Sequence, residues 1–286
     1  MNPLTLSSHA KVNWVLQVHA PRDDGYHDLT TLFSEITLAD ELDFTPREEP
    51  ECTISGFFET VLLENNLIYR AWEMVRRVYP QTGGVHVSVR KRIPMGGGLG
   101  GGSSNAAATI KALDQLFELK MPVSQAIAIA ATLGSDVPFF IHGGCCIGRG
   151  RGEFLTPVRD VLPVPLILVM PPHAVSTREA FRSLDAIPRV ADERSLDDAI
   201  LALKTADTAL LAQAIVNDFD LVVEAEPWYC DISVALIEAG CSRVFLCGSG
   251  STVAGISPDH NQLESISARL NQRGIYNYMS ASSLWA

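Results

Sequence analysis

Six of the seven residues from Gly96 to Gly102 carry no side chain, within the stretch Pro94-Met-Gly-Gly-Gly-Leu-Gly-Gly-Gly-Ser-Ser-Asn105. Glycine at that density raises the entropy lost on folding and gives nothing to pack, so its use lies in left-handed backbone and bare N–H groups. Beyond it Ala106, Ile110, Leu113 and Phe117 recur at helical spacing, which predicts an amphipathic helix with Ser103 or Ser104 as its N-cap. Unpaired amides and the positive end of a helix dipole therefore meet at one place. Such a place holds anions, the dipole alone contributing about 0.3–1 kcal/mol at a surface, so the stretch predicts phosphate binding.

Two familiar phosphate loops fail on this sequence. Gly96, Gly98 and Gly101 fit G-x-G-x-x-G, but a dinucleotide fold needs a second parallel strand ending in an acid about 20 residues on. Here Asp114 and Glu118 fall within the predicted helix, and another helical run, 122–133, follows. Gly97 to Gly102 followed by Ser103 has the Walker A spacing, with serine where that loop needs its phosphate-binding lysine. A loose glycine linker, for its part, does not ordinarily run straight into a capped amphipathic helix.

A chain of 286 residues lies where single cores begin to divide, which predicts two domains. Leu162-Pro-Val-Pro165 is the natural break, giving an N-terminal domain over 1–161 and a C-terminal one over 162–286. With 47% hydrophobic and 19% charged residues there is no disorder signature, and no apolar run approaches the roughly 18 residues that span a bilayer. The first residues lack the basic and apolar regions of a signal peptide, so the expected location is cytoplasmic. Cys52, Cys145, Cys146, Cys230, Cys241 and Cys247 show no paired spacing and are expected to be reduced core thiols. A net charge of −11 argues against a nucleic-acid polymer as partner, since backbone phosphates are bound by Lys and Arg; a small nucleotide needs only local donors.

Along the chain, Ala10, Val12, Trp14, Leu16 and Val18 alternate with Lys11, Asn13, Val15 and Gln17, as in a strand. Read from residue type alone, the Lys11 and Asn13 face is solvated. A turn over 19–27 ends with Tyr26 and His27 side by side; such rings are incidental surface aromatics or a stack for a base, worth about 1–3 kcal/mol. Two strands are expected over 29–44, a helix capped by Asn65 or Asn66, a strand over 84–90, and Arg90-Lys91-Arg92 bringing charge to the glycine loop. The helix from Pro122 stops at Gly134 in a left-handed cap. Asp136 then stands at the start of a helix carrying Pro138, where local capping and the dipole are a sufficient account. Helices are expected over 176–184, 197–216, 232–239 and 261–272, and a hairpin turn at Gly248-Ser-Gly-Ser-Thr252.

The glycine stretch resembles the nucleotide loop of the galactokinase, homoserine kinase, mevalonate kinase and phosphomevalonate kinase superfamily. Its triple-glycine form with Asn105 is most similar to the diphosphocytidyl-methylerythritol kinases. Ala10-Lys-Val-Asn13 with Asp24-Gly-Tyr-His27, Gly134-Ser-Asp-Val-Pro-Phe-Phe140 and Gly248-Ser-Gly-Ser-Thr252 resemble further motifs of that family, with Cys247 where the last usually has serine.

The resemblance implies an α+β fold, a ribosomal-protein-S5-like N-terminal domain followed by a ferredoxin-like one. It implies ATP and Mg²⁺, and a small-molecule substrate carrying a cytidine diphosphate group, with no nucleic-acid or membrane partner. Lys11 and Asp136 would be catalytic; Asn13, Tyr26 and His27 would bind substrate. Pro94, Gly96, Gly97, Gly98, Leu99, Gly100, Gly101, Gly102, Ser103, Ser104 and Asn66 would bind ATP, Ser104 would touch the metal, and Gly248, Ser249 and Gly250 would close over the phosphates. The rival readings are a homoserine or mevalonate kinase, against which the Gly25-Tyr-His27 segment argues, and a catalytically silent nucleotide sensor, which needs neither Lys11 nor Asp136.

Overall fold

The computed structural model describes residues 2–56, 62–173, 175–189 and 192–282. The chain divides into two compact units assembled from separate stretches: Met1–Ala10, Ala39–Met95 and Gly100–Gly143 in the first, Lys11–Leu38, Gly96–Leu99 and Gly144–Ala286 in the second. Two long strands, β1 (Leu4–Pro21) and β2 (His27–Arg47), give residues to both. Where two strands were expected over 29–44 there is one, because neither Gly nor Pro interrupts that run and nothing else forces a turn.

In the first unit β3 (Cys52–Gly56) pairs in parallel with β4 (Gly84–Arg90), which runs antiparallel to β2 from Glu41↔Arg90 to Arg47↔Gly84. Four helices pack on one another: α1 (Leu67–Val78), α2 (Gly101–Leu116), α3 (Val123–Leu133) and α4 (Val137–His142). Asn66 caps α1 by accepting from the Ile68 amide at 3.0 Å, and Ile68, Ala71, Trp72 and Val75 form its buried face. α2 is buried along most of its length, Ala106, Ala107 and Ala108 letting its neighbours approach. Neither serine caps it: the N-cap is Gly100, left-handed at φ 72° and ψ 15°. The predicted stop after α3 also differs, for Gly134 is extended at φ 169° rather than left-handed.

In the second unit β5 (Cys145–Arg149) pairs antiparallel with β2, Thr31↔Gly148 to Ser34↔Cys145, and forms a hairpin with β6 (Phe154–Pro157). Then come β7 (Pro165–Val169), α5 (Thr177–Asp185), α6 (Glu193–Thr205), α7 (Thr208–Ala214) and β8 (Val216–Asn217). The single helix expected over 197–216 breaks at Ala206, left-handed at φ 52°, where Asp207 caps α7 by accepting from the Ala209 and Leu210 amides. β8 lies parallel to β1 at Val15↔Val216 and Leu16↔Asn217.

The chain closes with α8 (Asp220–Val223), α9 (Pro227–Ala239), β9 (Arg243–Leu246), β10 (Val253–Ile256), α10 (Leu263–Gln272) and β11 (Tyr278–Ala281). These three strands and β7 form an antiparallel sheet in the order β11-β7-β10-β9. Numbered by their succession in the chain the order is 4-1-3-2, with α9 and α10 laid against the sheet: the split βαβ arrangement of ferredoxin-like folds. Its core joins Ile167, Val169, Leu236, Leu246, Val253, Ile266 and Leu270 with Leu16, Phe219 and Val223. The fold is α+β.

Candidate functional site

The glycine stretch opens from a buried anchor. Asp40, 1% exposed, accepts from the Arg92 and Ile93 amides at 2.7 and 2.8 Å and from Lys91 Nζ at 2.6 Å. Lys91 is thus committed to Asp40, and Arg90 pairs with Glu41 and Asp43. The positive charge that the sequence brought to this loop is therefore largely neutralised locally. Lys91 Nζ still reaches the start of α2, where a Cβ on Gly101 would lie 3.0 Å from it.

Gly96, Gly98 and Gly100 are left-handed at φ 72°, 77° and 72°, a conformation that other residues adopt at about 1–2 kcal/mol. Leu99, 1% exposed, is the apolar anchor among them. Its carbonyl accepts from the Lys11 amide at 3.0 Å, and the Gly97 carbonyl accepts from the Thr252 amide at 3.2 Å. The segment 96–99 is thereby tied to β1 on one side and to the turn between β9 and β10 on the other. The approach is too close for side chains: a Cβ at Gly98 would run into the Cys247 carbonyl, and one at Gly97 into Thr252 and Met170. A Cβ at Gly248 would lie 3.1 Å from the Gly98 carbonyl and 3.2 Å from Lys11 Nζ. Gly248 thus stands against the glycine segment and Lys11, and the Gly250 carbonyl lies 3.1 Å from where a Cβ on Gly98 would be.

Asn217 holds this turn, its Nδ2 donating to the Leu246 and Gly248 carbonyls at 2.7 and 2.8 Å. Asp220 adds to the hold by accepting from the Leu246 amide and the Tyr229 hydroxyl, both at 2.8 Å. Burial pushes the Asp220 carboxyl up to about 6 despite those donors. Ser249 meets Thr177 at 2.9 Å. Cys247, where a serine was the family pattern, is fully buried and makes its contacts through the backbone; burial pushes its thiol up to about 12, with Lys11 acting in the opposite sense.

The solvated face expected for Lys11 and Asn13 does not exist. Lys11 is 4% and Asn13 2% exposed, because β2 and the turn cover that side of the strand. Lys11 Nζ donates to Asn13 Oδ1 at 2.8 Å and lies 5.6 Å from the Phe33 ring centroid. Asn13 Nδ2 donates to Thr31 Oγ1, which donates to the Val15 carbonyl. That directed chain fixes the amide with its oxygen toward the lysine. A buried ammonium is costly unless its charge and hydrogen bonds are compensated.

Asp136 occupies the N-cap position of α4, yet its side chain makes no capping hydrogen bond. The capping part of the local account is therefore not realised, although the carboxylate still stands at the start of the helix. Ser104, 3% exposed, accepts from the Ser8 hydroxyl at 2.7 Å, whereas Ser103 is half-buried. Among the described residues no group of three His, Cys, Asp or Glu side chains is placed to hold a metal.

Tyr26 and His27, adjacent in sequence, part company. Tyr26 is 54% exposed under the Arg151 guanidinium, 4.8 Å from its ring centroid. His27 is buried, stacked on Phe181 with centroids 5.1 Å apart at 26°, and Phe181 abuts Phe219 edge-on. His27 Nε2 lies 2.7 Å from Asp185 Oδ1, and Asp185 in turn lines a cavity of about 350 Å³ with Gln17, His19, Arg189 and Asp218. Phe181, Asp185 and Arg151 carry no motif, and only the spacing of Phe181 and Leu184 on an amphipathic helix hinted that this face packs inward.

The GHMP kinases N terminal domain description matches residues 66–144 and the GHMP kinases C terminal description residues 199–275. A 4-diphosphocytidyl-2-C-methyl-D-erythritol kinase from Moorella thermoacetica is 37% identical over 95% of this chain and 96% of its own length. A crystal structure of 4-(cytidine 5'-diphospho)-2C-methyl-D-erythritol kinase superposes with a TM-score of 0.84 at 29% identity, covering 98% of this chain and all of that one. An L. major mevalonate kinase, with a TM-score of 0.76 at 15% identity over 99% of this chain and 97% of its own, shares the fold alone. A glycine segment strapped between a lysine-bearing strand and a glycine-serine turn, on a fold common to these kinases and with the sequence of one branch, leads to one assignment: the chain belongs to the 4-diphosphocytidyl-2-C-methyl-D-erythritol kinase family.

Proposed function

We propose that this kinase transfers the γ-phosphoryl group of ATP to the 2-hydroxyl of 4-diphosphocytidyl-2-C-methyl-D-erythritol, a step of non-mevalonate isoprenoid precursor synthesis. The observation that carries the reading is the strapping of Gly96–Leu99 to Lys11 and to the 247–252 turn. It leaves glycine amides beside a buried ammonium, and phosphoryl transfer asks a protein chiefly for positioning and neutralisation of charge.

In this reading the amides of 96–102 and the start of α2 hold the triphosphate, with Pro94, Ser103 and Ser104 shaping the loop and Asn66 on the adenine side. Asp136 takes the proton of the substrate hydroxyl as its oxygen bonds to the γ-phosphorus, and the bond from that phosphorus to the bridging oxygen breaks, releasing ADP. Lys11 stabilises the charge on the attacking oxygen and the γ-phosphoryl group, with Asn13 fixing its ammonium. Tyr26 and His27 hold the cytosine, and Gly248, Ser249 and Gly250 cover the phosphates. Mg²⁺, when bound, would neutralise further phosphate charge, with the Ser104 hydroxyl as the protein oxygen that would hold it.

Among the described residues no helix is long and apolar enough to cross a membrane, and the net charge of −11 supports a small nucleotide rather than a nucleic-acid polymer as partner. A cytoplasmic location is part of the proposal. So is a functional division at 161/162, supported by family matches that end at 144 and begin at 199.

The test is ADP release from ATP and Mg²⁺ with the cytidyl substrate beside mevalonate, homoserine and galactose. Turnover confined to the cytidyl substrate is expected, and Lys11→Ala and Asp136→Ala are each expected to lower kcat by about 100-fold or more. Turnover with a rival instead would discard the cytosine role of Tyr26 and His27. Near-normal kcat in both variants would remove the catalytic pair, and no turnover from folded, ATP-binding protein would turn the reading toward a sensor.

A further inference from the structure

Asp185, at the end of α5, lies outside every motif, yet its Oδ1 is 2.7 Å from His27 Nε2. The two side chains are 41% and 7% exposed, respectively. The stack on Phe181 fixes the plane of the imidazole, and the carboxylate fixes its rotation within that plane. Arg189, the cation lining the same cavity, is occupied elsewhere: it donates to the Val18 and Leu184 carbonyls and lies 3.7 Å from Asp218.

An ionised carboxylate can only accept a hydrogen bond. A neutral imidazole beside it must therefore carry its proton on Nε2 and present Nδ1 as an acceptor. We propose that Asp185 is a positioning and specificity residue that sets this tautomer, so that His27 Nδ1 accepts from the exocyclic amino group of a cytosine base and disfavours uracil. Cytosine donates from N4, whereas uracil places the O4 acceptor there, and two facing acceptors leave both without a partner. The inference rests on His27 contacting the base, as in the proposed function. Asparagine at position 185 can turn either its oxygen or its amide nitrogen to the ring and so frees the tautomer.

The experiment is steady-state kinetics of the full-length enzyme, Asp185→Asn, His27→Ala and the double variant, each with the cytidyl substrate and its uridyl counterpart. Asp185→Asn should raise KM for the cytidyl substrate about tenfold with kcat held within about twofold, and narrow the cytidyl-to-uridyl ratio of kcat/KM about tenfold. It should have no further effect in the His27→Ala background, because it acts through that ring. An unchanged base ratio in Asp185→Asn overturns the proposal, as does a further loss of similar size in the double variant. If His27→Ala alone leaves the cytidyl KM unchanged, the base contact itself fails and the inference falls with it.

Discussion

The proposed phosphate-side and base-side parts of the second unit are built from opposite materials. Gly96–Leu99 and the 247–252 turn hold each other through backbone groups, at separations that admit no Cβ at Gly97 or Gly98. The base-side group is made of side chains from three distant stretches: Tyr26 and His27, Arg151, and Phe181 with Asp185. Every nucleoside triphosphate presents the same phosphates, so a backbone cradle suffices for them. Telling one base from another requires a donor or acceptor at a particular point, which only positioned side chains supply.

If that contrast is right, a single methyl group should hurt the first part most. Gly98→Ala puts a Cβ into the Cys247 carbonyl at a left-handed position, and about 3 kcal/mol of stability should be lost, with KM for ATP rising more than tenfold. Urea unfolding and ATP kinetics check both; unchanged values in each would mean the strapping is slack.

On the base side, Phe181→Ala removes the surface on which the His27 ring rests. KM for the cytidyl substrate is expected to rise by about 10-fold or more while KM for ATP stays within about twofold. Equal rises in both would show that the two parts are not separable.

Asp220 sharpens the contrast through pH. Its folded carboxyl sits near 6 against an ordinary 3.8, so between about pH 4 and pH 6 the unfolded chain gives up this proton while the folded chain keeps it. The folded state then binds more protons and stability falls as pH rises through that window, by on the order of 2–3 kcal/mol. Asp220→Asn should flatten this part of the stability profile; a parallel profile in the variant would mean the carboxyl titrates normally. The smallest effect belongs to Arg151→Ala. Losing the exposed guanidinium over Tyr26 should raise the cytidyl KM by about two- to fivefold.

The same division explains which parts of the molecule can be read without a structure. Gly98 and Gly248 announce themselves, since only close backbone approach justifies such residues, and Asn66 at the head of α1 caps as its type predicts. Three local expectations failed, two of them where tertiary contacts outbid local chemistry. Ser104 does not cap α2, being engaged by Ser8 from β1. Lys11 is not solvated, being enclosed with Asn13 and Phe33. Asp136 stands at a helix start without capping it. The last two departures fall on the pair proposed as catalytic, where a local rule is expected to yield to function.

By itself the sequence determined the glycine loop and most of the helices and strands, because backbone geometry and hydrophobic period are written in consecutive residues, while the family and the ferredoxin-like succession of the C-terminal elements came from the resemblance of its motifs. Only the tertiary structure decided that β1 is buried on both faces, that Asn217 and Asp220 brace the turn, and that Phe181 and Asp185 frame His27. Those contacts join residues as much as 158 positions apart in the chain, and no local pattern records which distant side chain a fold will bring to a given ring nitrogen.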